Sequence, residues 1–155
     1  MEAITTRRAS PEDAPAIHAL FLEQFPFLEE VRERALKDVH FRIEDPSSVT
    51  VVAVSDRGVL AAARGYRQGD IYLMNSICAA SRDNLLARTR AIARLMPFYV
   101  ETCLSHARGL GLTRAFYGTD SRSLARLVGV LCSRKGLAIE EASHGGRRGF
   151  WIFEP

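Results

Sequence analysis

The feature that most constrains this chain is a block of three consecutive strand-like segments set between helical ones. Val49 to Val54, Val59 to Tyr66 and Ile71 to Ala79 are rich in β-branched and apolar residues. The tight turns Asp56-Arg57-Gly58 and Gln68-Gly69-Asp70 separate them. Such spacing predicts an antiparallel meander. A meander leaves two faces to cover, and the flanking sequence offers helices for both. Ser10-Pro11-Glu12-Asp13 reads as a helix start, with Ser10 at the N-cap, Pro11 in the first turn and acids where the helix dipole favours them. That helix carries Ile17, Leu20 and Phe21 on one face, Pro15 costs it one early hydrogen bond, and Phe25-Pro26-Phe27 breaks it. Leu28, Val31, Ala35 and Val39 recur at helical spacing and predict a second helix over 28–41.

After the meander, Asp83 to Leu95 and Phe98 to Gly109 both read as helical. Pro97 either kinks one long helix or opens a second. Arg114 to Tyr117 is a short strand, Ser121 to Lys135 a helix closed by Gly136, and Ala138 to Ala142 pairs with Phe150 to Phe153 around Gly145-Gly146. With a first strand over Ala3 to Ala9, the order is β-α-α-β-β-β-α-β-α-β-β. This predicts one domain over 1–155, of class α/β (α+β), with a mixed, mostly antiparallel sheet flanked by helices.

Composition excludes several functions. At 155 residues and 47% hydrophobic, the chain can build a core without disulfides or metal. No apolar run reaches the ~18–20 residues needed to span a bilayer, and the N-terminus lacks a signal-peptide stretch, so the expected location is the cytoplasm. Cys78, Cys103 and Cys132 have no metal or redox spacing, and His18, His40, His106 and His144 are scattered; no metal is expected. Of 21 basic residues only Lys37 and Lys135 are lysines. An arginine face suits phosphates and carboxylates, but a net charge of +3 is too modest to argue for nucleic acid.

The element order resembles the GNAT N-acyltransferase superfamily, of which this chain would be a divergent member. The matching stretches are Ile4 to Ala14 for the first strand and helix start, Ala107-Arg108-Gly109-Leu110-Gly111-Leu112 for the end of the central helix, and Tyr117 to Leu137 for the fifth strand and following helix. The resemblance implies an acyl-CoA cofactor, acetyl-CoA first, and an amine acceptor, either a small molecule or a protein; it is compatible with a homodimer. In the family a loop of pattern Arg/Gln-x-x-Gly-x-Gly/Ala opens the central helix and cradles the CoA pyrophosphate with free backbone N–H groups. The stretch here is Arg88-Thr89-Arg90-Ala91-Ile92-Ala93-Arg94-Leu95. One register puts Arg90 first; the other puts Arg88 first and keeps Ala91 and Ala93 at the small positions. Neither has a glycine, so the motif is degenerate.

By the same resemblance, Ile77 and Ala79 of the fourth strand and Asp120 and Ser121 after the fifth contact the cofactor. Tyr117 and Cys132 are candidate acids for the leaving thiolate, Cys132 because it stands four residues before Gly136-Leu137. Asn75, a polar residue in an apolar strand, is a candidate for the base. Each has a plain alternative: Cys132 as packing, Tyr117 as a strand aromatic, Thr119-Asp120-Ser121 as a helix cap, and the tip His144 to Arg148 as a solvated turn or a basic lip near the acceptor. The rival functions are a non-catalytic GNAT-like protein that has lost acetyl-CoA and, third, a nucleic-acid-associated protein.

Overall fold

The computed structural model describes residues 3–80 and 85–155, and the backbone alone at Asn75, Ser76 and Cys78. The expected helix start at Asp83 lies outside the described residues, and so does the side chain of Asn75. The elements are β1 Thr5–Arg8, α1 Ala14–Gln24, α2 Arg32–Glu44, β2 Ser48–Ser55, β3 Gly58–Gln68, β4 Ile71–Ala79, α3 Leu85–Gly109, β5 Arg114–Gly118, α4 Arg122–Arg134, β6 Ala138–His144 and β7 Arg147–Phe153. They follow the order read from the sequence. One seven-stranded sheet runs β1-β2-β3-β4-β5-β7-β6, antiparallel throughout except at β4/β5. β4 is therefore central, as its apolar run predicts.

Both faces of the middle strands are buried, which explains the alanine run Ala61-Ala62-Ala63. Alternate residues point to opposite faces. Val51, Ala63, Tyr72 and Met74 pack with Leu95, Met96, Tyr99 and Val100 of α3 and with Val128 and Cys132 of α4. Val52 and Ala62 pack with Ile17, Leu20 and Phe21 of α1 and Val39 of α2. Val100 and Leu104 are buried and Phe98 half-buried against the α3 side, as expected of the central helix. Two polar anchors tie this helix to the sheet. The Tyr99 hydroxyl donates to the Arg64 carbonyl at 2.7 Å. His106 Nε2 donates to the Pro46 carbonyl at 2.8 Å, which leaves Nδ1 to accept from the Tyr72 hydroxyl, also at 2.8 Å.

Two boundaries differ from the sequence reading, each for a local reason, and at Pro97 the structure takes one of the two readings the sequence left open. The first helix opens with a 3₁₀ turn, Pro11–Asp13, closed by the Ser10 N–H on Asp13 Oδ2 at 2.8 Å; Arg7 Nη1 holds the same oxygen at 2.6 Å. α1 proper starts at Ala14, so Pro15 falls in its first turn, where no N–H is needed and no hydrogen bond is lost. Residues Pro26–Val31 form another 3₁₀ turn that delays α2 to Arg32. α3 is a single helix through Pro97. The carbonyl that Pro97 leaves unbonded belongs to Ala93, and both residues are exposed, so water can satisfy it. No described helix is long and apolar enough to cross a membrane.

Candidate active site

The site is built where the sheet opens. β4 and β5 pair only through Tyr72/Ala115, Leu73/Phe116 and Met74/Tyr117. Beyond that point β4 continues to Ala79 beside β3 alone, while β5 follows β7 to the Gly118/Gly149 pair. The divergence starts at a bulge. Arg64 faces Ser76 and Gly65 faces Met74, so Asn75 is the extra residue of β4. A bulge bends its strand and re-aims the residues on its far side.

The bulge fixes the direction of the backbone beyond it. The Ala80 N–H bonds the Leu60 carbonyl across to β3 at 2.8 Å. In an antiparallel ladder, groups pointing at one neighbour alternate with groups pointing away. Ala79 and Ile77 therefore turn their N–H and C=O groups away from β3, into the opening. The Gln24 side-chain amide, at the end of α1, reaches in and donates to the Ile77 carbonyl at 3.2 Å.

The resulting cleft holds about 510 Å³. Ile77, Ala79 and Tyr117 form its fork, Arg88, Thr89 and Ile92 line it from α3, Thr119 to Ser121 with Leu124 from the start of α4, Gln24 and Phe25 from α1, and Arg147 from β7. Tyr117 is fully buried at the fork, and its hydroxyl, with the Thr119 side chain beside it, meets no described residue in good hydrogen-bond geometry. Burial raises its pKa above the ordinary tyrosine value, so the hydroxyl keeps its proton. A buried donor without a well-placed partner is costly, and this one stands where the two strands part.

The other sequence candidates divide between the cleft and elsewhere. Arg88 is half-buried on the cleft wall. Arg90, two residues on, is not among the lining residues, since positions i and i+2 of a helix do not share a face. Ala91 is buried in the core and Ala93 is exposed. Both lie more than a turn inside α3, where their N–H groups serve the i→i−4 ladder; a phosphate nest on those N–H groups does not fit this helix. Asp120 lines the cleft mouth, mostly exposed and 4.0 Å from Arg147 Nη2. Ser121 also lines it and is the N-cap of α4, its hydroxyl accepting from the Leu124 N–H at 3.3 Å.

Cys132 is placed differently from the expectation. It is fully buried in the α3/α4-side core and does not line the cleft, and burial pushes its thiol up to about 11. The offset from Gly136 picks out a position on α4 but not its face. Cys132→Ala is expected to cost about 1–2 kcal/mol of stability and to leave any acyl-transfer rate within about two-fold of wild type, checked by denaturant melts beside a thiol-release assay. Sequence reasoning missed Gln24, which carries no motif, and gave no role to Thr89 and Ile92 within the 88–95 stretch. Arg147 was visible only as part of a basic hairpin tip.

No family model and no curated protein matches the sequence. Solved structures do. An acetyltransferase of the GNAT family from Streptococcus pneumoniae is 15% identical over 97% of this chain and 96% of its own, with a TM-score of 0.55. The PaiA N-acetyltransferase from Thermoplasma acidophilum, in complex with coenzyme A, is 9% identical over 99% of both chains, with a TM-score of 0.56. A variant of the spermidine N-acetyltransferase SpeG from Vibrio cholerae is 14% identical over 97% of this chain and 94% of its own, with a TM-score of 0.59. These likenesses share an open mixed sheet that splays at its one parallel pair, with helices on both faces. It is the GNAT fold, carried here over nearly the whole chain.

Proposed function

We propose that this protein is an N-acyltransferase that takes its acyl group from a coenzyme A thioester. The observation that carries the reading is the splay of β4 from β5, which leaves the backbone groups of Ile77 and Ala79 facing a cleft with the Tyr117 hydroxyl at its apex. An extended, amide-bearing arm fits such an opening, because it can pair with a strand edge that no neighbour occupies. The thioester supplies the activated acyl group, and transfer to an amine forms the C–N bond, breaks the C–S bond and moves one proton from nitrogen to sulfur.

The residues divide this work. Backbone N–H groups of Ile77 and Ala79 are placed to polarise a carbonyl oxygen. Tyr117 Oη offers a held proton beside the fork, as a hydrogen-bond donor toward developing negative charge. Arg88 supplies a cation on the α3 wall for a phosphate. Asn75, whose backbone forms the bulge next to these groups, is the candidate for the base. A small-molecule amine is the simplest acceptor, as for the spermidine N-acetyltransferase that shares this fold.

One observation favours a second reading. α3 is regular helix where the family's phosphate loop would lie, and Ala91 is buried in the core. A GNAT-shaped protein that binds no acyl-CoA would have that feature. Thermal melting with acetyl-CoA decides. At ~100 times its dissociation constant the ligand stabilises by about 2.7 kcal/mol, a rise of roughly 5–10 °C for a chain of this size. Arg88→Ala is expected to weaken binding at least about ten-fold, the loss of one charged hydrogen bond. An unmoved melting curve and no calorimetric heat at saturating acetyl-CoA would overturn the enzyme and leave the second reading.

A further inference from the structure

The cleft is framed from both faces of the sheet. Tyr117, Phe150 and Ile152 pack on the α3/α4 side of the sheet, while Trp151 packs with Phe116 on the α1/α2 side. β7 pairs without a break from Arg147 to Phe153, so Arg147 shares the side of Trp151. Arg88, Thr89 and Ile92 thus frame the cleft from the α3 side. Gln24, Phe25 and Arg147 frame it from the α1 side. If a thioester arm occupies the α3 side, the amine must come in past Arg147.

Arg147 is only loosely engaged by its neighbours. Its Nε is buried with no hydrogen-bond partner among the described residues, and its Nη2 stands 4.0 Å from a mostly exposed Asp120, beyond hydrogen-bond reach. Its stem packs over Gly118, where any side chain would meet Arg147 Cβ at 3.5 Å, so the guanidinium is held at the mouth. Asp120 is the only acid among the described lining residues, against Arg88 and Arg147. Glu23, in an adjoining recess, already has a partner. A polycation entering this mouth would meet a single carboxylate, Asp120, already facing Arg147, too little negative charge to hold it. A planar carboxylate would meet the exposed Nη end of one guanidinium, which Asp120 holds only at 4.0 Å, and arginine binds carboxylates well. A phosphate dianion would call for more than one cation, and among the described residues Arg147 is the one cation on this side of the cleft.

We propose that the acceptor is an amine carrying a carboxylate, of the amino-acid class, and that Arg147 is the residue that selects it by pairing with that carboxylate. This rests on the acyltransferase reading. The first test needs no turnover: binding of N-acetyl amino acids and of their carboxamides, measured by melting shift. The acids are expected to bind at least about ten-fold more tightly, and Arg147→Gln to erase the difference while Arg147→Lys keeps part of it. The second test is turnover with acetyl-CoA across the free amino acids, their amides and spermidine. Acids are expected to exceed amides in kcat/KM by at least about ten-fold, and Arg147→Gln to raise KM for acids alone with kcat little changed. Equal binding of acid and amide, a preference for spermidine, or an Arg147→Gln defect in kcat only would overturn the proposal and leave the enzyme standing. Acetyl-CoA bound with no amino acid turned over would also overturn it. Acetyl-CoA not bound would remove the acyltransferase reading and this inference with it.

Discussion

Tyr117→Phe is expected to lower kcat for acyl transfer by about 10²-fold or more while the protein becomes no less stable. The two halves of this result have one cause. The Tyr117 hydroxyl is buried without a partner in good hydrogen-bond geometry among the described residues. In a purely structural role that is a liability, since an unmatched buried polar group costs about 1–3 kcal/mol. Phenylalanine keeps the ring and its contact with Phe150, whose centroid is 5.6 Å away, and removes the liability. Stability should therefore hold or rise. Catalysis should suffer on the scale typical of a lost acid–base group. The pH dependence separates roles further. Burial raises the Tyr117 pKa from its ordinary value of 10.0, so the group stays protonated throughout the working range. Wild type and variant should then show the same pH profile below pH 10, displaced by a constant factor. Linkage gives the sign for stability. An acid whose folded pKa is raised contributes fully below its unfolded pKa, and that contribution is lost as pH rises through the folded value. Burial raises Tyr72 and Tyr99 in the same direction, so alkaline unfolding should begin above pH 10 and shift upward slightly in the variant. A Tyr117→Phe enzyme with full activity would remove the hydroxyl from the mechanism.

Much of the fold is legible in the sequence because it rests on local chemistry. β4 is bounded as expected, Ile71 to Ala79, because the Gln68-Gly69-Asp70 turn starts it. Ser121 caps α4 as its residue type suggests. Misreadings arise where tertiary context decides. Pro97 leaves two readings, one long helix or two, and the structure has one, since the carbonyl it frees faces water. The same holds at the site. An offset of four from a glycine points to Cys132, yet the rotation of α4 puts that thiol in the core. Arg88 and Arg90 read as a pair, yet a helix separates neighbours two apart, and only Arg88 reaches the cleft. Gln24 has no sequence signal at all, because its role is a hydrogen bond to a carbonyl that is free only once β4 leaves β5. Arg147 becomes meaningful only when β7 is paired with β5 and its alternation is known.

Gly149→Ala is expected to be the most damaging small substitution in the chain. Gly149 faces Gly118 across β5 and β7, at the end of the strand that carries Tyr117. A Cβ at 149 would lie 1.9 Å from the Tyr117 carbonyl oxygen, 2.8 Å from its carbonyl carbon and 2.9 Å from Gly118 Cα. All three are backbone atoms, so no side-chain rotation relieves the contact. The strands must part or shift, and a contact this close puts the cost at about 3 kcal/mol, the upper end of the usual overpacking range. That is a large share of the roughly 5–15 kcal/mol typical of a domain, and a fall in melting temperature of roughly 6–12 °C. The damage should also be local to function. Moving β5 off β7 displaces Tyr117 and Arg147 together, so acetyl-CoA stabilisation should shrink even under conditions where the variant remains folded. Gly129→Ala is the matched control. It lies within α4, a Cβ there would make only an ordinary 3.8 Å contact with Ile139 Cδ1, and alanine favours helix by up to about 1 kcal/mol over glycine. Melting curves of the two variants, with and without acetyl-CoA, give the result. A Gly149→Ala protein within about 1 kcal/mol of wild type, still stabilised in full by acetyl-CoA, would mean that the β5–β7 contact is not what holds the cleft open at Tyr117.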